Sequence, residues 1–171
     1  MSLTATIRRA QSSPPVDLRL IASEYGIRIH RAWLDTGVSG ELVPLSDGKF
    51  QINVSEDDNP RRQRFTIAHE LGHFFLHRHL IGSGIGDDKA YRSTGVGRYH
   101  NTMIGPKEET EANQFASNLL MPDHLIDMLR RMGKTTPQQM ADELQVSLPA
   151  MRIRLGMPAR PVPGGDAIFD D

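Results

Sequence analysis

From Arg61 to about His79 the chain reads as one helix, apolar on nearly every side, that nevertheless carries two histidines and a glutamate. Phe65, Ile67, Ala68, Leu71, Phe74, Phe75 and Leu76 surround His69, Glu70 and His73. A helix that is apolar all round is a buried one. Buried imidazoles and carboxylates need partners, because an unsatisfied polar group in the interior costs free energy. A metal ion supplies such partners. Residues at i and i+4 of a helix share a face, one turn apart. His69 and His73, so placed, can both reach one zinc ion at roughly 2.0–2.1 Å. Glu70 lies about 100° around the helix from His69, where it meets water on the ion rather than the ion itself. Zinc lowers the pKa of such water to about 7, and a carboxylate can take its proton. His69 and His73 are therefore read as metal ligands and Glu70 as the general base.

A catalytic zinc needs a third protein ligand and an open position. The candidates are His77, His79, His100, Glu108, Glu109 and Glu111. His77 stands at i+8 from His69, about 12 Å along the axis, too far for one ion to bridge easily, and reads as a hydrogen-bonding or capping residue. A second strong helix is expected over Lys107 to Met121, with Ala112, Phe115, Ala116, Leu119 and Leu120 as its apolar stripe. Glu109 lies on that stripe, whereas Glu108 is about 100° and Glu111 about 200° away. The buried face meets the zinc helix, so Glu109 is the expected third ligand. Asn113, at i+4 from Glu109, is placed to orient it.

Around these helices the pattern is α+β, a small antiparallel sheet followed by a helical body. Val16 to Tyr25 reads as a helix stopped by Gly26. Strands are expected over 27–34, 41–45 and 49–54, with Asp47-Gly48 as a hairpin turn. Residues 80–106 hold repeated glycines and read as a long functional loop. Its Tyr91, Arg92, Arg98, Tyr99 and His100 are candidates for stabilising an oxyanion. Beyond the second helix, short helices are expected from Pro122 to Met132, Thr136 to Leu144 and Leu148 to Leu155. The organisation is a flexible lead-in (1–15), a core (16–121), a helical, helix-turn-helix-like C-terminal part of the same domain (122–157) and a tail (158–171).

The motif pair "RFTIAHELGHFFLH" (Arg64–His77) and "ETEANQFASNLLMP" (Glu109–Pro122) resembles the ImmA/IrrE family of metallopeptidases. The likeness runs from roughly Val38 to Leu155, taking in the hairpin and "MADELQVSLPAMRIRL" (Met140–Leu155). It implies a zincin-like core of gluzincin type, with the third ligand at the first Glu of the Glu-x-x-Ala-Asn stretch, which is Glu109. It also implies a zinc-dependent endopeptidase that cleaves a helix-turn-helix, XRE-type repressor encoded nearby and so releases stress or mobile-element genes. At 171 residues the chain has no room for the upstream DNA-binding domain or downstream sensor domain of part of the family.

Composition trims the rival readings. There are no cysteines, which removes thiolate zinc sites and disulfide frameworks. The N-terminus has Arg8 and Arg9 but no apolar run after them, and no stretch approaches the ~20 apolar residues of a membrane span, so a cytoplasmic protein is expected. Net charge is −1, so any nucleic-acid contact needs a local patch. Residues 123–161 carry six Arg/Lys against four Asp/Glu, too small an excess for the usual phosphate contacts, so direct DNA binding is not expected. The alternatives to an enzyme are a DNA-binding regulator with a structural or vestigial zinc site, and an antitoxin-like partner that holds a repressor without cutting it.

Overall fold

The computed structural model describes residues 2–81, the backbone of 91–92, and 104–160. The chain runs α1 (Leu3–Ala10), α2 (Leu18–Glu24), β1 (Ile27–Ala32), β2 (Gly40–Pro44), β3 (Phe50–Ser55), α3 (Pro60–Leu76), a 3-10 turn (Arg78–Leu80), β4 (Tyr91–Arg92), α4 (Pro106–Leu120), α5 (Asp123–Arg131), α6 (Pro137–Leu144) and α7 (Leu148–Arg154). Most of the 80–106 segment, with Arg98, Tyr99 and His100, lies outside the described residues, as does the tail beyond 160.

The class is α+β, but the sheet is mixed rather than antiparallel. Its order is β1-β3-β2-β4. The Asp47-Gly48 hairpin joins β2 and β3 in antiparallel register, Leu42 opposite Ile52, and Gly48 takes the φ of +75° that such a turn favours. β1 pairs with β3 in parallel, Ile29 opposite Ile52. The reason lies in burial. β3 buries Phe50, Ile52 and Val54 on one face and takes a central place, whereas β1 buries only Ile27 and suits an edge. Residues 33–39 make the crossing past the end of β3, with Val38 buried and Ser39 accepting a hydrogen bond from the Ser55 N–H.

The expected loose lead-in also differs. Residues 3–10 form a helix started by Ser2, whose side chain accepts from the Ala5 N–H. Arg9 and Thr6 both bond Glu24 of α2, and the Gln11 side chain donates to the Leu119 carbonyl at 2.8 Å. The buried side of α1 is Thr6 and Ala10, with Ile7 packed against the core beside them, and Leu3, Ile7 and Ala10 fall at helical spacing. The C-terminal helices follow their sequence signals. Gly133 stops α5 at φ +81°, and Thr136 and Gln139 cap α6 reciprocally.

α3 lies against the sheet on one side and α4 on the other. Asn59 caps it, Pro60 opens it, and a run from Ala68 to Phe74 is buried without interruption. It ends at His77, earlier than the periodicity suggests, because the chain tightens there into the 3-10 turn. α3 and α4 meet at Gly72. A Cβ on Gly72 would lie 3.1 Å from Ala112 Cα, 3.2 Å from Ala112 O and 3.3 Å from Phe115 Cβ. Two of those atoms are backbone, so the fit cannot relax by rotamer change. Gly72→Val is expected to lower stability by about 1–3 kcal/mol, the usual overpacking cost. Gly72→Ala should lose less, since alanine regains roughly 1 kcal/mol of helix propensity. Urea midpoints of the three proteins would check this order.

Candidate metal centre

Three side chains from α3 and α4 converge. The ligating atoms of His69, His73 and Glu109 all lie within 4.8 Å of one another. His69 Nε2 and His73 Nε2 are 2.9 Å apart, and the Glu109 carboxylate is 3.2 Å from the first and 3.7 Å from the second. Both histidines are buried, and Glu109 is partly open at 28%. The other glutamates of α4 point elsewhere. Glu108 accepts the Gly105 N–H and caps the helix, and Glu111 bonds His77. His79 sits in the exposed 3-10 turn.

Outer partners fix the imidazole tautomers. His69 Nδ1 is 3.0 Å from Asn113 Oδ1, an acceptor, so the proton of Nδ1 is donated there. His77 Nε2 lies 2.9 Å from Glu111, again an acceptor, which leaves the Nδ1 of neutral His77 to accept from His73 Nδ1 at 3.0 Å. Both Nε2 atoms then present lone pairs toward Glu109. Such an all-acceptor cluster is an arrangement that a cation neutralises, and a divalent metal fits its imidazole and carboxylate donors.

A proton can take the same place. Burial opposes charge on His69, but the Glu109 hydrogen bond and the charges of Glu70 and Glu109 outweigh it, and its pKa is raised. His73 goes the other way. Burial, together with the charges of His69 and His77, holds its pKa below the ordinary histidine value despite Glu109.

Glu70 is fully buried beside the cluster. It lies under the start of β2, where a Cβ on Gly40 would overlap Thr66 Cγ2 and come 3.6 Å from Glu70 Oε1. A cleft of about 240 Å³ opens beside the cluster, lined by Ser39, Arg62, Phe65 and Thr66 together with His69, Glu109 and Asn113. Arg62 donates from Nε to Ser39 Oγ at 2.9 Å. Sequence reasoning missed Ser39, Arg62 and Thr66. The spacing of Arg62, Thr66 and His69, at i, i+4 and i+7, was the available signal. Asn113 was expected to orient Glu109; its Oδ1 supports His69. Tyr91 and Arg92 are described as backbone only.

The C-terminal basic residues are engaged within the fold. Arg152 donates to the Pro158 carbonyl, Arg154 to the Met121 carbonyl and to Asp123 at 2.6 Å, and Lys134 pairs with Glu143. No helix among the described residues is long and apolar enough to cross a membrane.

Comparison with known proteins agrees with this geometry. The radiation response metalloprotease IrrE of Deinococcus radiodurans is 36% identical over 107 residues, covering 58% of this chain and 30% of that protein. The metallopeptidase ImmA of Bacillus subtilis is 28% identical over 93 residues, 54% of this chain and 48% of that one. The chain thus spans less than half the length of these relatives. A Mycobacterium tuberculosis transcriptional regulator shares the fold with a TM-score of 0.57 at 20% identity, over 92% of this chain and 47% of that one. Residues 22–156 match the IrrE N-terminal-like domain of the M78 peptidases, and the chain belongs to that family.

Proposed function

We propose that the chain is a zinc-dependent endopeptidase that cleaves a helix-turn-helix, XRE-type transcriptional repressor and thereby derepresses stress or mobile-element genes. The observation that carries the reading is the convergence of His69, His73 and Glu109 beside the buried carboxylate of Glu70. These three residues would hold the ion in a zincin-like core of gluzincin type, with one position left open as in other catalytic sites. When bound, zinc supplies Lewis acidity toward a peptide carbonyl and toward water. Glu70 takes the proton of the attacking water and returns it to the leaving amine nitrogen. Asn113 and His77 hold the two imidazoles with their Nε2 lone pairs inward. The relatives' names, metalloprotease and metallopeptidase, support the reaction class. The repressor as substrate follows from the resemblance of the two motifs to the ImmA/IrrE family.

The sequence reading of α6–α7 as a helix-turn-helix-like pair raises the DNA-binding alternative. Arg152 and Arg154 donate to backbone carbonyls, and Arg154 and Lys134 pair with carboxylates, which favours a structural role over reading DNA. No sub-micromolar binding of a specific duplex at physiological salt is expected from the isolated protein, and a gel-shift titration that found it would favour the DNA-binding regulator.

Glu109→Ala is expected to lower bound zinc markedly, as read by metal analysis after dialysis. Retention of a full equivalent would remove Glu109 from the ligand set. Glu70→Gln keeps the shape of the side chain but cannot accept a proton. It should bind zinc and the repressor encoded beside this gene while losing cleavage by roughly a thousandfold, about 4 kcal/mol of transition-state stabilisation. If Glu70→Gln relieves repression in cells as well as wild type, binding alone suffices and the peptidase reading fails.

A further inference from the structure

We propose that His77 and Glu111 act as a positioning pair that sets the orientation and basicity of His73, and through it the affinity for zinc. The inference rests on the ligand set proposed above. His77 belongs to α3's C-terminal cap, four residues after His73, and Glu111 to α4, two residues after Glu109. The helices that bring the cluster together therefore bring this pair together, one turn farther along α3. His77 is buried to 3% exposure, and its two ring nitrogens are both engaged, Nδ1 with His73 at 3.0 Å and Nε2 with Glu111 at 2.9 Å.

The chain of bonds has one direction. Glu111 is acceptor-only, so His77 donates from Nε2 and accepts at Nδ1, and His73 donates from Nδ1. His73 Nε2 is thereby kept as the lone pair that faces His69 and Glu109. An imidazole whose far nitrogen donates to a good acceptor is a stronger ligand, and removing such outer partners costs about 10–100-fold in metal affinity. The two histidines differ in their support. His69 leans on a neutral amide, Asn113, whereas His73 leans on an imidazole that is itself polarised by a carboxylate. Glu111 is 42% exposed and also lies 3.8 Å from Lys107, so solvent and a cation share its charge. It influences the cluster only by way of His77.

The test is zinc affinity by chelator competition, with thermal melting of the metal-free proteins alongside. Glu111→Ala should weaken zinc binding at least tenfold while one equivalent still binds at saturation. Glu111→Gln, which keeps an acceptor oxygen without the charge, should recover part of that loss. In a His77→Phe background, Glu111→Ala should change affinity no further, since its route to the metal is gone. Metal-free melting should fall for Glu111→Ala, which leaves the His77 N–H without its acceptor, and return toward wild type for Glu111→Gln, so affinities are compared at a temperature where every metal-free protein is folded. Glu143→Ala, on α6 and paired with Lys134, should leave zinc affinity unchanged. Equal affinities of wild type and Glu111→Ala overturn the pair, as do additive effects of His77→Phe and Glu111→Ala. A wild-type protein that binds no zinc overturns the ligand set and the pair together, so the two failures are distinguishable.

Discussion

Gly72 stands between the two histidines of α3, and there the helix approaches the Ala112 backbone of α4 to within about a methyl group's width. Glu109 lies one turn before Ala112, so the crossing point sets how far a carboxylate on α4 stands from the imidazoles on α3. With a larger residue at Gly72 the helices would separate and Glu109 would withdraw from both rings. Aromatic packing braces the same contact on the far side. Phe75 meets Phe115 across the helices, and Tyr25 meets Phe74 and Phe75 edge-on. The convergence of His69, His73 and Glu109 is thus a consequence of close helix packing.

That packing buries three histidines along α3, which is tolerable only because each ring is hydrogen-bonded. Two supports come from α4, Asn113 for His69 and Glu111 for His77, and His77 in turn supports His73. Each ring keeps its tautomer only while the two helices stay in register. Burial lowers the pKa of both rings and Glu109 raises both; the added charge of Glu70 leaves His69 raised, whereas the charges of His69 and His77 leave His73 lowered.

The helices, the hairpin and the phase of Glu109 were legible in the sequence because each rests on local period or turn chemistry. α3 and α4 announce themselves by apolar spacing, and Asp47-Gly48 by its turn preference. The parallel pairing of β1 with β3 was not legible, because alternation tells which face a strand buries but not which strand lies beside it. α1 was missed although Leu3, Ile7 and Ala10 fall at helical spacing, because the helix is only eight residues long and runs into the Ser12-Ser13-Pro14-Pro15 segment, which reads as a loose lead-in. At the site, Ser39 enters through the sheet, 23 residues before Arg62, so no spacing rule could pair them. Asn113 illustrates a different limit. Its helical position places it near both Glu109 and His69, and only the three-dimensional contact decides between them.

α3 also couples the metal cleft to the C-terminal helices. Arg61, in its first turn, donates to the Val146 carbonyl at 3.0 Å and to Asp142 at 2.6 Å, clasping the turn between α6 and α7. Asp142 is more than half exposed on its side chain, so the ion pair itself adds little to stability. The bond to a backbone carbonyl is directional and ties that turn to the start of the helix. Between them lies a second hollow lined by Phe65, Val146 and Ala150, which shares Arg62 and Phe65 with the metal cleft. The two hollows therefore run along one face of one helix, from Asn59 at its cap to His69 at the metal cluster. Together the two hollows bring the turn between α6 and α7 and the His69–Glu109 cluster onto one side of α3.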